Sequence, residues 1–275
     1  VRAAGQEKLE PRGWAYPWLL PLAAFYGAGW WIWDRWTAQQ APLYPPVFSV
    51  GVGNLVVGGT GKTPLVGYLA RIFLDQGDRV AILSRGYRRR DRRMARLTHP
   101  PPPEEVPRYG DEPALYAHWL GGRASVWIHR DRRRLLSALL QEEQPDVILL
   151  DDNLQYRALR PHVQVVLLDR RTLALPRWLL PAGPFREPFS RAARGDVLVI
   201  NHKTDEVDLS LARRLASFAR PVYHIAYRDL RLQPAEGGPA ESLDAWRGRA
   251  VMAFSGIADP WSLMRTLQRA GLRVV

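Results

Sequence analysis

The sequence predicts an α/β protein, a mostly parallel sheet with helices on both faces. Three observations predict it. Short apolar, β-branched runs alternate with helix-like segments along most of the 275 residues, the pattern of strand–helix–strand crossovers. One run, Val47 to Gly53, passes into the glycine-rich loop Gly58-Gly59-Thr60-Gly61-Lys62-Thr63 and then into a helical segment from Leu65 to Leu74. Another, Asp146-Val-Ile-Leu-Leu-Asp-Asp152, ends in two carboxylates.

Composition sets the outer bounds. Hydrophobic content of 47% and charged content of 24% are those of an ordinary globular chain with ample core. There are no cysteines, which excludes a disulfide scaffold, a thiolate metal site and a cysteine nucleophile. The six histidines are scattered without ligand spacing, which argues against zinc. The net charge of +12 is mostly arginine and favours anionic partners: acidic lipid, phosphorylated substrates or nucleic acid. No recognition-helix, RNP or zinc-finger pattern supports the last, so no nucleic acid is expected. The chain begins with Val1, which is expected of a fragment or of an unusual start codon.

Residues 1–13 are polar and expected to be loose. No charge falls between Trp14 and Trp33, and six tryptophans lie between Trp14 and Trp36. Pro17 and Pro21 confine any helix to the part after them. A spanning helix needs about 20 apolar residues, so the stretch is borderline. Tryptophan prefers the membrane interface. The expectation is a short helix dipping into one leaflet, within an N-terminal segment of residues 1–40.

The proline-rich joint 41–46 leads into the main domain, residues 41–245. Strand, glycine loop, Lys-Thr and helix in succession is the layout of a phosphate cradle. The first glycine of the usual G-x-x-x-x-G-K-[ST] pattern is replaced by Val56. Glycines let the backbone wrap phosphate oxygens, and the helix start favours anions. Lys62 would reach the outer phosphates, and the Thr63 hydroxyl would face Mg²⁺.

Arg79 to Ser84 reads as the second strand. Arg85 to Arg96 follows, with seven arginines in twelve residues: a solvated face, or a clamp for an anionic substrate or lipid. The proline-rich stretch 98–107 reads as loop. Asp111 and Glu112 ahead of Pro113 suit the N-terminus of a helix ending at Leu120. Ser125 to His129 reads as a strand and Asp131 to Glu143 as a helix. Asp151 and Asp152 then close an acidic strand of the Walker-B kind, available to Mg²⁺ beside the phosphate loop. Val163–Asp169 and Asp196–Asn201 are further buried strands, flanking a long proline-rich loop from Leu179 to Pro188. Loops of that length are often functional. Leu209 to Phe218 reads as a helix and Val222 to Leu232 as an extended exit. A strand from Arg249, a helix from Trp261 to Ala270 and a strand from Leu272 open a second, smaller α/β domain in residues 246–275.

Six segments in order carry a family resemblance: Val52-Gly-Asn-Leu55 with Val57-Gly-Gly-Thr-Gly-Lys-Thr-Pro64, Ser84-Arg-Gly-Tyr87, Gly110-Asp-Glu-Pro113, Leu150-Asp-Asp-Asn-Leu-Gln155, Leu180-Pro-Ala-Gly-Pro-Phe-Arg-Glu-Pro188 and Phe254-Ser-Gly-Ile-Ala258. The chain resembles the tetraacyldisaccharide 4′-kinase family, the lipid A 4′-kinases of Gram-negative bacteria. The resemblance implies a P-loop fold and transfer of phosphate from ATP, with Mg²⁺, to the 4′ position of an acylated glucosamine disaccharide 1-phosphate, a lipid A precursor. It implies work at the cytoplasmic face of the inner membrane, against an anionic membrane surface.

It also implies roles for particular residues. Asn54, Val57, Gly58, Gly59, Thr60, Gly61, Lys62, Thr63 and Gln155 would hold the nucleotide. Thr63 with Asp151 or Asp152 would hold the metal. Asp111 is the implied base toward the sugar hydroxyl, with Lys62 and Glu112 also catalytic. Arg85, Arg186 and Glu187 would meet the substrate. Two departures stand out. The family usually shows glycine after the paired aspartates, where this chain has Asn153. Its Asp-His pair following Ser-Gly-Ile-Ala is not found in these 275 residues, so the chain is expected to be truncated at its C-terminus.

Two other readings compete. One is a P-loop GTPase or metallochaperone-like switch protein, supported by Asn201-His-Lys-Thr-Asp205, which misses the guanine-reading N-K-x-D by one residue. The other is a catalytically incomplete membrane-bound fragment that still holds nucleotide.

Overall fold

The computed structural model describes residues 16–39, 41–235, 237–257 and 260–275. Residues 1–15 and Ala258 of the Ser-Gly-Ile-Ala segment lie outside the described residues.

Eight strands form the main sheet: β1 (Phe48–Gly53), β2 (Val80–Ser84), β3 (Ala95–Leu97), β4 (Ala124–Ile128), β5 (Val147–Asp151), β6 (Val163–Asp169), β7 (Val197–Asn201) and β8 (Val222–Ile225). Their spatial order is β3-β4-β2-β5-β1-β6-β7-β8. Every pairing is parallel except β3 with β4. The central strands read as continuous apolar runs because both faces are covered, as parallel sheets require. Alternation sorts the side chains between the layers. Val80 and Ile82 join Leu65, Val66, Ala70, Tyr116 and Leu120 in one core. Ala81 and Leu83 join Leu135, Leu136 and Leu139 in another.

The first core lies under α2 (Lys62–Asp75) and α4 (Asp111–Leu120), the second under α5 (Arg132–Glu142). A third, around Leu55, Phe185, Phe189, Leu211 and Leu215, covers the β6–β7 side. The acidic pair at the start of α4 lies in its first turn, where carboxylates suit the helix dipole, but the N-cap is Gly110. Asp131, by contrast, is a true cap, its carboxylate accepting from the Arg133 and Arg134 amides.

Three local expectations change. The arginine-rich run ends in β3, a short antiparallel edge strand. The stretch 98–107 holds a 3₁₀ turn at Pro103–Glu105 and the start of a single-turn helix, α3 (Val106–Tyr109). Leu209–Phe218 winds as 3₁₀ turns, not as an α-helix. A short helix α6 (Arg170–Ala174) also follows β6.

Beyond the sheet, β9 (Arg231–Leu232) pairs with β10 (Glu241–Ser242), and β11 (Ala250–Val251) pairs in parallel with β12 (Arg273–Val274) across α7 (Pro260–Arg269). These elements share a small core of Leu243, Leu267 and Leu272.

The N-terminal helix α1 (Leu20–Ala38) begins at Pro21's turn, as the prolines require. No described helix is long and apolar enough to cross a membrane. Of its residues only Ala23 is buried. Phe25, Ile32 and Trp36 stand 62–76% exposed on one stripe, while the other face rests on the protein. There the Tyr26 hydroxyl donates to the Arg186 carbonyl at 2.9 Å, and Asp34 pairs with Arg157 at 2.6 Å and with Arg191.

Candidate active site

The site is built by strand register. Val52 of β1 lies beside Asp151 of β5, so the residues that follow the two strands emerge side by side at the carboxyl edge of the sheet. Gly61, in a left-handed conformation (φ 96°), turns the loop into α2. Only glycine suits this position twice over, because a Cβ there would also meet the Tyr227 hydroxyl at 2.5 Å.

Asn54 is the loop's internal anchor. Its amide donates to the Thr60 hydroxyl at 2.9 Å and its carbonyl accepts from Lys62 Nζ at 3.1 Å. Arg186 donates to the same carbonyl. Lys62 also pairs with Asp152 at 3.4 Å. The Val57 N–H donates to the Pro184 carbonyl at 2.9 Å, so this amide is not among the loop's free donors. The proline-rich loop lies antiparallel against the phosphate loop at Val56–Phe185, and this explains its length.

The acidic turn is tightly specified. Asp152 adopts a left-handed conformation (φ 50°), which aspartate tolerates better than most residues. Asn153, at the position the family fills with glycine, is buried and stitches the turn. Its amide donates to Leu159 O at 3.1 Å, its side-chain carbonyl accepts from Arg132 at 3.2 Å, and its own N–H reaches Val52 O at 3.0 Å. Arg132, almost wholly buried, also donates to the carbonyls of Asp151 and Asp152. The sequence reading missed it, since it sits in a run of three arginines that reads only as a helix start.

The two aspartates are held in different protonation regimes. Burial pushes Asp151 up to about 7, with Glu112 and Asp152 adding to the effect. Burial also opposes ionisation of Asp152, but Lys62 and Arg186 outweigh it and hold this carboxyl well below the usual range. Glu112, which accepts from the Thr63 hydroxyl at 3.3 Å, is raised by burial against the pull of Lys62. Burial and the carboxylates of Asp151 and Glu112 push the Tyr116 phenol well up, so it stays neutral. Asp111 is exposed at the first position of α4, next to Glu112.

Among the described residues no three His, Cys, Asp or Glu side chains converge as a self-sufficient metal cage. A Mg²⁺ site does not need one, because Mg²⁺ takes one or two carboxylates and fills its shell with water and phosphate oxygens. The donor set fits that ion: Asp151 Oδ1 is buried with no hydrogen-bond partner, while its other carboxylate oxygen accepts from the Ser84 hydroxyl at 3.4 Å.

A cavity of about 880 Å³ opens at Asp152. One wall is polar, with Arg85, Arg132, Gln155, Arg186 and the buried Glu187; the other is α1, with Tyr26, Trp30 and Trp33. Gln155 donates to the Asn54 carbonyl at 2.8 Å, and Arg186 pairs with Asp152 at 3.1 Å, so both brace the phosphate loop as well as lining the cavity. The Asn201–Asp205 segment is engaged otherwise. The Asn201 amide donates to Thr60 O and to the Tyr227 hydroxyl, both at 2.9 Å, and Asp205 pairs with Arg269 at 2.5 Å. The segment supports the phosphate loop and pairs with α7, which removes the guanine-reader argument.

A glycine-lined loop running into a helix, a loop lysine and a carboxylate-bearing neighbouring strand define a P-loop phosphotransferase fold. The tetraacyldisaccharide-1-P 4′-kinase family profile matches residues 15–275, and the chain belongs to that family. It is 37% identical over 270 residues to the tetraacyldisaccharide 4′-kinase of Dechloromonas aromatica, covering 97% of this chain and 75% of that protein. It is 36% identical to the Pelobacter propionicus protein of the same name, covering 84% of this chain and 62% of the relative. The crystal structure of LpxK from Aquifex aeolicus in complex with ATP superposes with a TM-score of 0.72 at 29% identity, over 93% of this chain and 78% of that one.

Proposed function

We propose that this chain takes the γ-phosphoryl group of ATP to the 4′ hydroxyl of a tetraacylated glucosamine disaccharide 1-phosphate, at the cytoplasmic face of the bacterial inner membrane. One observation carries the reading: the cavity that opens on Asp152 is polar on the sheet side and aromatic on the α1 side. Such a cavity suits an acceptor with a sugar head and acyl tails. The exposed apolar stripe of α1 would lie in the interfacial layer, and the arginine excess would face anionic headgroups.

The chain's own groups divide the work. Lys62 and the free amides of the phosphate loop neutralise the β and γ phosphates and set them in line. Thr63, Asp151 and Asp152 are the groups that would hold Mg²⁺, which supplies charge neutralisation on the phosphates when bound. Asp111, exposed at the start of α4, accepts the proton of the attacking hydroxyl, while Glu112 holds the Thr63 hydroxyl in place. Arg85 and Arg186 orient the acceptor from the polar wall. Glu187 buttresses that wall.

Phosphate transfer from labelled ATP to the disaccharide lipid in detergent micelles tests the assignment. Asp111→Asn is expected to lower kcat by about 100-fold or more with the KM for ATP unchanged. A near-normal rate would remove Asp111 from the role of base. Preference for GTP over ATP would sink the kinase reading itself.

A further inference from the structure

A second cavity, of about 370 Å³, lies under the C-terminal end of α1. Tyr156 lines both it and the active-site cavity, so the turn after the acidic pair separates the two. Four arginines face the second cavity: Arg157 and Arg160 from that turn, and Arg191 and Arg194 from the segment after the proline-rich loop.

Their charge is only partly balanced. Asp34 of α1 takes Arg157 and Arg191. Among the described residues neither Arg160 nor Arg194 has an ion pair or a side-chain hydrogen bond. Glu187 acts on Arg194 at longer range, beyond ion-pair distance. The C-terminus of α1 adds only about half a negative charge. Arg194 is half-buried, and burial, reinforced by Arg157, Arg191 and Arg160, pushes its guanidinium down to about 10. An arginine in such a place stays charged and has no carboxylate within ion-pair distance, and a walled cavity concentrates the field that would recruit a closer anion. Guanidinium forks match the tetrahedral oxygens of phosphate.

We propose that this cavity is a phosphate-binding site, occupied by the headgroup phosphate of an anionic glycerophospholipid or by a soluble phosphate. Its position at the end of α1, next to the exposed stripe of Ile32 and Trp36, sets it at the depth where headgroups lie if α1 rests in the interface. The site stands apart from the phosphotransfer reading, because neither Arg160 nor Arg194 lines the active-site cavity, so either reading can fail alone.

Calorimetric titration of the protein in neutral dodecyl maltoside micelles tests it, with three probes: short-chain dihexanoyl phosphatidylglycerol, dihexanoyl phosphatidylcholine and sodium phosphate. Two double variants are compared, Arg160→Gln with Arg194→Gln, and Arg213→Gln with Arg220→Gln, the latter removing equal charge from exposed positions elsewhere. Saturable 1:1 binding of phosphatidylglycerol but not phosphatidylcholine is expected, weakened about 10-fold or more by the first pair and less than about 2-fold by the second. Sodium phosphate binding as tightly assigns the site to soluble phosphate; markedly weaker phosphate binding assigns it to the headgroup. Should Arg194→Gln disturb folding, exposed Arg160→Gln alone carries the test, with a loss of about 3-fold or more. Absence of saturable binding by both anionic probes, or equal losses in the two double variants, overturns the proposal.

Discussion

At the scale of single residues, the acidic pair shows how neighbours decide chemistry. Asp151 and Asp152 are adjacent and identical in type, yet one is driven toward protonation and the other away from it. The difference lies in what each faces: Asp152 has Lys62 and Arg186, while Asp151 points one oxygen into a buried space without a partner. A carboxyl raised in the folded state binds its proton more tightly there than in the unfolded chain. Its contribution to stability is therefore full below the ordinary carboxylate range and is lost as pH rises toward about 7. The nucleotide-free protein should lose thermal stability between pH 5 and 7 relative to Asp151→Asn; parallel Tm curves for the two would refute this. Asn153 makes a second case. Removing its buried side-chain bonds in Asn153→Ala should cost about 2 kcal/mol, partly from the unpaired groups left behind. That is a fall in Tm of about 4–8 °C, readable by calorimetry. The carboxylates were legible in the sequence because a strand ending in acids is a local pattern. Arg132 was not, because its role depends on where two backbone carbonyls and the Asn153 side-chain carbonyl gather in space.

At the scale of elements, the buried strands were readable for a simple reason. Strands covered on both faces must be apolar throughout, and residues such as Val147 to Leu150 advertise this without knowledge of their partners. The three-residue β3 could not be read, since an edge strand inside an arginine-rich run has no such requirement. Nor could the brace on the phosphate loop. Asn201 at the end of β7 and Tyr227 after β8 meet at Gly61, although the sequence separates them by 26 positions. These two elements fix the height of the loop by holding the Thr60 carbonyl. Asn201→Ala should therefore loosen the cradle. About 1 kcal/mol of lost positioning predicts a rise of about 5-fold in the KM for ATP, with a smaller change in kcat. Tyr227→Phe, which keeps the ring and loses the hydroxyl, should give a weaker change in the same direction. A fall in kcat at constant KM would mean that the brace acts on the chemical step and not on nucleotide binding.

At the scale of the whole molecule, α1 joins two surfaces that a soluble enzyme would keep apart. One face docks through Tyr26 and Asp34 beside the active-site cavity, while the other carries Phe25, Ile32 and Trp36 into solvent. The tryptophans and the absence of charge from Trp14 to Trp33 pointed to a membrane-dipping helix but could not show which side chains line the cavity. On the proposed membrane reading, the exposed stripe anchors the helix and the docked face presents the acceptor to Asp152. These two duties can be separated by substitution. Phe25→Ser, Ile32→Ser and Trp36→Ser together leave the docked contacts intact and remove three large apolar groups, each worth about 1.5–3 kcal/mol when fully buried. Allowing for partial insertion, co-sedimentation with lipid vesicles should fall by about 100-fold or more. Nucleotide affinity should stay within about 2-fold, because no substituted side chain reaches the phosphate loop. Transfer to an acceptor embedded in vesicles should fall with sedimentation, while transfer to an acceptor in detergent micelles should hold most of its rate. If vesicle binding persists in the triple variant, α1 is not the anchor. If the micellar rate collapses as well, the stripe belongs to the acceptor site and not to the membrane contact.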